Sequence, residues 1–367
     1  MGPDWHRVRE EFPALANWTF LDTASFGQLP HCATNAVARH FAHRDETACH
    51  DFLSWFDDMD QVRTLAAKLI QADPDDIAFM PNASAALSLF LGGIRFQPGD
   101  RIVTFENEFP NNIYYPSLLQ QQGVELVETN WDGFEATLSG RTRAVLVSML
   151  NYSTGFRPPL EEMGRLLRQR GILFYVDGTQ GLGPLPFNVQ AVQPDMLAVH
   201  AYKWLLSPNG AAFAYVSPAL RRQVMPNVIG WRSDRGWRGV NALNHGAPEF
   251  VEAAEKYEGG MLNFSGLYAM GASLKLLLDV GPAAIETRVL SLAAETCAML
   301  QGCGASILHE NSPIIAARFP GREAADLADH LKRRRILVSA RHGSLRISLH
   351  LYNSEQDIHT LRQALQQ

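Results

Sequence analysis

Residues 172–216 read ILFYVDGTQGLGPLPFNVQAVQPDMLAVHAYKWLLSPNGAAFAYV. Three apolar runs divide the stretch: Ile172–Val176, Met196–Val199 and Ala212–Val216. Each is short and apolar at nearly every position, the pattern of a strand covered on both faces. The first run ends in Val176-Asp177-Gly178-Thr179-Gln180, the second in His200-Ala201-Tyr202-Lys203-Trp204. In an open α/β sheet, ligands bind outside the carboxyl ends of the strands. An aspartate at one strand end and a lysine at another therefore fall on one crevice.

Working outward, Ile77–Met80, Arg101–Phe105, Val124–Val127 and Ala144–Met149 read as further strands. Ala83–Leu91, Asn112–Gln122 and Leu160–Arg170 carry helical spacing between them. Alternating β and α over this span predicts an α/β fold with a doubly wound, mainly parallel sheet. The pattern breaks after about residue 217. Asn227–Ala247 holds Trp231, Arg232, Arg235, Trp237 and Arg238 among glycines and reads as a long irregular loop, a class of segment that is usually functional. Gly266–Val280, Pro282–Gln301 and Arg322–Arg334 then read as helices, with Ile314–Arg318 and Leu345–Leu349 as strands, predicting a smaller α+β lobe. The expected division is a large domain over 20–260 and a small one formed by 1–19 and 261–367.

The 367 residues carry a formal net charge of −6 and are 46% hydrophobic. That balance gives no general attraction for nucleic acid or an anionic membrane. The basic run Lys332-Arg333-Arg334-Arg335 reads as a solvated helix end. Cys32, Cys49, Cys297 and Cys303 form no Cys-x-x-Cys pair, and Cys297 and Cys303 lack the close histidines of a zinc site, so no metal is expected and a reducing cytoplasm fits. The start lacks the apolar core of a signal peptide, and no stretch approaches a membrane span.

An amine and a carboxylate at neighbouring strand ends suit pyridoxal phosphate. The amine forms a Schiff base with the aldehyde, and the carboxylate holds the pyridine nitrogen protonated so that the ring takes up electrons. Taken singly, each residue has a plainer reading, as a turn former or a surface charge. Together, with Lys203 between Tyr202 and Trp204, they gain force, since apolar surroundings lower a lysine pKa. A phosphate also needs a site. Pro81-Asn82-Ala83-Ser84-Ala85-Ala86 opens a helix directly after a strand, where free N–H groups and the Ser84 hydroxyl favour an anion.

These motifs, with Phe20-Leu21-Asp22-Thr23-Ala24 near the start and Gly343-Ser344-Leu345-Arg346-Ile347-Ser348 and Tyr352-Asn353 near the end, resemble the class V aminotransferases among fold-type I pyridoxal-phosphate enzymes. That superfamily includes cysteine desulfurases, selenocysteine lyases, isopenicillin N epimerase-like proteins and kynureninases. The resemblance implies that Lys203 is the Schiff-base lysine and proton shuttle and Asp177 the pyridinium partner. Gln180 would bond the phenolic oxygen, and Phe109 would stack on the ring. Ser84, the N–H groups of Ala83 and Ala85, His200 and Tyr202 would hold phosphate. Arg346 would clamp the substrate α-carboxylate, with Ser25 and Trp231 as further substrate contacts. It also implies a homodimer acting on an amino acid.

Three departures bear on the reaction. The desulfurase branch carries a nucleophilic cysteine shortly before its carboxylate-binding arginine, where this chain reads Ser339-Ala340-Arg341-His342-Gly343. A Gly-Thr pair that reaches the partner's phosphate in many relatives is replaced around Gly260-Met261. An Asn-x-x-Gly run near the phenolic oxygen becomes Asn151-Tyr152-Ser153-Thr154-Gly155, so either Asn151 or Tyr152 is a cofactor contact. Phe109 stands where the desulfurase branch has histidine, which leaves Lys203 as the main proton carrier. The expected reaction is C–S β-elimination, with transamination the alternative, and epimerase or kynureninase-like chemistry ranked lower. An intact lysine, aspartate, glutamine and arginine set argues against a non-catalytic regulatory protein, and the lack of an early Gly-x-Gly-x-x-Gly argues against a nicotinamide enzyme.

Overall fold

The computed structural model describes residues 2–366. Its largest sheet has seven strands: β1 (Ile77–Met80), β2 (Arg101–Phe105), β3 (Glu125–Thr129), β4 (Thr142–Ser148), β5 (Leu173–Asp177), β6 (Met196–His200) and β7 (Ala212–Val216). Across the sheet the order is β1-β7-β6-β5-β4-β2-β3. The pairings from β6 to β3 are parallel, and β7 is antiparallel to both β1 and β6. The expected α/β fold is present, and its strands β5, β6 and β7 are buried almost throughout, as their unbroken apolar runs require.

The connecting helix Leu160–Gln169 buries Leu160, Met163, Gly164 and Leu167 in one stripe and turns Glu161, Glu162 and Arg168 outward. Two long helices, His31–Thr47 and Ser54–Ile70, pack against Phe264–Val280. The first buries only Ala33, Ala36 and His40, so it has no stripe of large apolar residues to announce it. The second does have one, in Trp55, Met59, Val62, Ala66 and Ile70, which a strand-centred reading passes over.

A smaller antiparallel sheet holds Ser339–Arg341, Ser344–Ser348, Ile314–Arg318 and Ser306–Ile307 in that order. The start of the chain is joined to this part of the molecule. Thr19–Phe20 pairs in parallel with Ile336–Leu337, and Asp22 bridges to Ser348. Residues 24–27 then cross to the carboxyl edge of the large sheet. There the Gly27 N–H donates to the Tyr202 carbonyl (3.0 Å), and Gln180 Nε2 donates to the Ala24 carbonyl (2.9 Å). A Cβ on Gly27 would lie 1.8 Å from the Lys203 carbonyl oxygen, so only glycine lets the two backbones pass. Among the described residues, no helix is long and apolar enough to cross a membrane.

Candidate active site

Parallel strands deliver their carboxyl ends to one edge, and the register sets Ser148, Asp177 and Ala198 side by side there. The cleft beyond them is lined by Asp177, Thr179 and Gln180 after β5 and by His200, Tyr202 and Lys203 after β6. Ala83, Ser84, Phe109, Asn111 and Ser148 complete its walls.

Lys203 is 7% exposed, and its Nζ lies 5.4 Å from the ring centres of both Phe109 and Tyr202. Burial pulls its pKa down to about 8. Arg346 and Arg341 add to that, while Asp177 and Asp22 oppose it. The amine is thus partly neutral near neutrality, which imine chemistry needs. Its turn closes with Leu206 N–H on the Lys203 carbonyl at 3.2 Å and puts Leu206 at φ +55°, a strain of about 1 kcal/mol.

Asp177 is buried, and its Oδ1 accepts from Thr179 N at 2.9 Å. Burial raises its pKa, while the Thr179 bonds and Lys203 hold it down. Behind it lies a second buried carboxylate to which the sequence assigns no role. Glu108 accepts from Ser148 N (2.7 Å), Ser148 Oγ (2.5 Å) and Asn112 Nδ2 (3.2 Å). It fixes the strand end beside Asp177. Its pKa is raised by burial, against those bonds, with a further push from Asp177. Nothing in the run Glu108-Phe109-Pro110 marks this glutamate as buried, so one sequence gives no signal for it.

The opposite end of the cleft suits an anion. The helices Ala83–Gly92 and Asn111–Leu119 both begin here, and Ser84 Oγ donates to Asn111 Oδ1 at 2.6 Å. Asn111 Nδ2 and His200 Nε2 are buried without a hydrogen-bond partner. Such groups are costly unless a polar ligand meets them. Burial, and then the charge of Lys203, pull His200 down to about 4, so its ring is neutral and can donate from one nitrogen. These residues fit a bound phosphate. Asn111 is absent from the sequence-derived set, although it stands two places after Phe109.

Arg346 lies on the strand Ser344–Ser348, flanked on both sides by strands and 1% exposed. Its Nη2 donates to Ser25 Oγ (2.6 Å) and Asp22 Oδ1 (3.1 Å), Nη1 to the Tyr152 carbonyl (2.8 Å) and Nε to Ser339 Oγ (3.0 Å). Ser25 is thus placed on the arginine. A carboxylate that displaced its hydroxyl would meet Nη2 and the remaining N–H of Nη1.

Several expected contacts are placed elsewhere. Trp231 does not reach the cleft. It packs edge-on against Phe56 and Trp237 in the main hydrophobic cluster, because its neighbour Arg232 is drawn inward by Glu255 and Glu258 and by the same two rings. The part of the loop around Trp231–Ser233 and Trp237 is therefore packed inward, while most of the remainder is exposed. The Ala85 N–H is taken by Asn82 Oδ1 at 2.8 Å, and Ala85 faces a different cavity. Asn151 organises its own turn: Oδ1 accepts from Ser153 and Thr154, Nδ2 donates to the Asn107 carbonyl, and the residue lines a cavity beside Trp131 and Phe156. Tyr152 instead meets Phe109, at 5.2 Å between ring centres. Gln180 lies in the cleft, with Oε1 accepting from the Trp204 indole at 2.5 Å and Nε2 keeping one N–H free.

A lysine for an aldehyde, a carboxylate for a ring nitrogen and a cradle for phosphate together serve one cofactor. Fold and site are those of a fold-type I pyridoxal-phosphate enzyme. The sequence profile described as aminotransferase class-V matches residues 19–361, and the chain belongs to that family. It is 25% identical to a probable cysteine desulfurase of Methanothermobacter thermautotrophicus, over 98% of this chain and 97% of that one. It is 27% identical to isopenicillin N epimerase of Streptomyces clavuligerus, over 99% and 98%. Among solved structures it resembles the cystine C-S lyase C-DES in complex with its reaction product cysteine persulfide, with TM-score 0.88, 21% identity, and 96% and 98% of the two chains covered.

Proposed function

We propose that this enzyme cleaves the C–S bond of an S-substituted cysteine by β-elimination. The observation that carries the reading is the pairing of Lys203 with Phe109. The amine sits over the face of a ring that cannot exchange protons, so one base serves the reacting carbon. The likeness to a cystine C-S lyase supports it. So does the place of the thiols, since among the described residues no cysteine lines the cleft and Cys297 is buried in the core of the small sheet.

Bound in the cleft, pyridoxal phosphate supplies an aldehyde for the substrate amine and a ring that draws electrons from the α-carbon. Asp177 would hold the ring nitrogen protonated, Phe109 would stack on the ring, and Ser84, Asn111 and His200 would hold phosphate. Arg346 binds the α-carboxylate in place of Ser25 Oγ. Lys203 takes the α-proton and delivers a proton to the departing sulfur. Incubation with S-methylcysteine is expected to release pyruvate, ammonia and methanethiol together. Release of a keto acid that retains sulfur, with consumption of one cofactor equivalent, would instead assign transamination.

We also propose a homodimer in a reducing cytoplasm. Val228 and Met261, 56% and 58% exposed, flank a cavity that runs back to Pro81 beside the phosphate end, an apolar surface suited to a second copy. Light scattering should give twice the 40.8 kDa chain mass. A monomer at working concentration would overturn the dimer.

A further inference from the structure

Arg341 closes the strand Ser339–Arg341, on the loop where the desulfurase branch carries its cysteine. Its Nη2 reaches the Ser25 hydroxyl at 3.5 Å, the same hydroxyl that Arg346 holds at 2.6 Å. The two guanidinium ends are therefore no farther apart than those two contacts laid end to end. Their partners differ. Arg346 is ion-paired with Asp22, so its positive charge is already balanced before substrate arrives. Arg341 donates to the Ala340 carbonyl (2.7 Å) and to Ser25, and among the described residues no carboxylate lies within ion-pair reach of it. The uncompensated cation of the pair is thus the half-buried Arg341.

A relay of ring contacts joins the loop that carries Arg341 to the reacting amine. Lys203 Nζ lies over Phe109, Phe109 meets Tyr152, and the Tyr152 hydroxyl is 2.7 Å from Nε2 of His342, the residue after Arg341. Arg341 is also among the charges that push the Lys203 amine toward its neutral form, after burial itself.

We propose that Arg341 is the second arm of the carboxylate site: the α-carboxylate displaces Ser25 Oγ and is held between Arg346 and Arg341. With two guanidiniums set against Asp22 and that carboxylate, this pair of arginines has no charge left for a second anionic group. The neighbouring cavity adds Glu106 and Asp132, whose carboxylates repel one. The amino acids taken therefore carry side chains without negative charge. This inference rests on the amino-acid reading of the cleft and not on the bond broken.

The test is binding to the holoenzyme, followed by the change in cofactor absorption. The probes are S-methylcysteine, 2-(methylthio)ethylamine (the same molecule without its carboxylate) and S-(carboxymethyl)cysteine. In the wild-type chain S-methylcysteine should bind at least about tenfold more tightly than S-(carboxymethyl)cysteine. Arg341→Gln should weaken S-methylcysteine about tenfold or more while changing the amine less than about twofold, and Arg341→Lys should recover part of the loss. Equal weakening of amine and amino acid would mean a merely structural arginine and overturn the proposal. Tighter wild-type binding of S-(carboxymethyl)cysteine would overturn it in favour of a distal-anion site. If the Gln variant does not load cofactor, the wild-type comparison and the Lys variant still decide. Methanethiol release is scored separately, so an enzyme that binds as expected yet releases none defeats the β-elimination reading alone.

Discussion

Lys203→Ala is expected to lower turnover by at least about 10³-fold while the protein still binds pyridoxal phosphate without a covalent link. The loss follows from geometry. The amine is placed over Phe109 toward the reacting carbon, and His200, held neutral by burial with a pKa of about 4, is at the phosphate end. Retention follows because the residues proposed for the phosphate and ring, Ser84, Asn111, His200 and Asp177, line the cleft independently of Lys203 and are left in place. Steady-state rates and the absorption of dialysed protein check both halves. A variant with wild-type turnover would remove Lys203 from the mechanism. A variant devoid of cofactor would mean that the covalent bond, and not the cradle, holds it. Cofactor attachment to the wild-type apoenzyme should also accelerate as pH rises and level off above about 8, since burial brings the neutral amine into that range.

Asp177→Asn is expected to cost about 10²- to 10³-fold in rate with the protein folded and loaded. An amide keeps the shape of the carboxylate and its bond from Thr179 N, but loses the charge that keeps a ring nitrogen protonated. A second readout separates this from a packing defect. Asp177 is the largest influence opposing the depression of the Lys203 pKa, so its removal must lower that pKa further. The pH midpoint for cofactor attachment should then fall below about 8. Near-normal turnover, or an unmoved midpoint, would place the electron-withdrawing role elsewhere.

The two residues in these predictions are legible in the sequence because of how parallel sheets are built. Ile172–Val176 and Met196–Val199 are apolar throughout since both faces are covered, and parallel neighbours must end at the same edge. The residues that follow such runs, Asp177 and Lys203, therefore meet whatever the details of packing. Ser84 is legible for a related reason, as the start of a helix directly after a strand.

Other parts of the cleft depend on contacts between distant segments. Asp22 and Ser25 reach Arg346 across |i−j| of 324 and 321, and no local pattern states that the chain's start crosses from the small sheet to the large one. Family resemblance supplied Arg346, but only the fold shows that Asp22 balances its charge and that Arg341 has no carboxylate partner among the described residues. Trp231 shows the converse. An aromatic and arginine-rich loop reads as a binding surface until Glu255 and Glu258 are found beneath Arg232, drawing it and its neighbours Trp231 and Ser233 inward. Asn151 and Ala85 are lost to the site in the same way, through hydrogen bonds to Asn107 and Asn82 that composition does not record. The sequence by itself determined the sheet, its carboxyl edge and the aspartate and lysine on it, because burial on two faces and strand direction are written locally. Tertiary structure alone decided which charges are paired, because a partner's identity depends on what folds back against it.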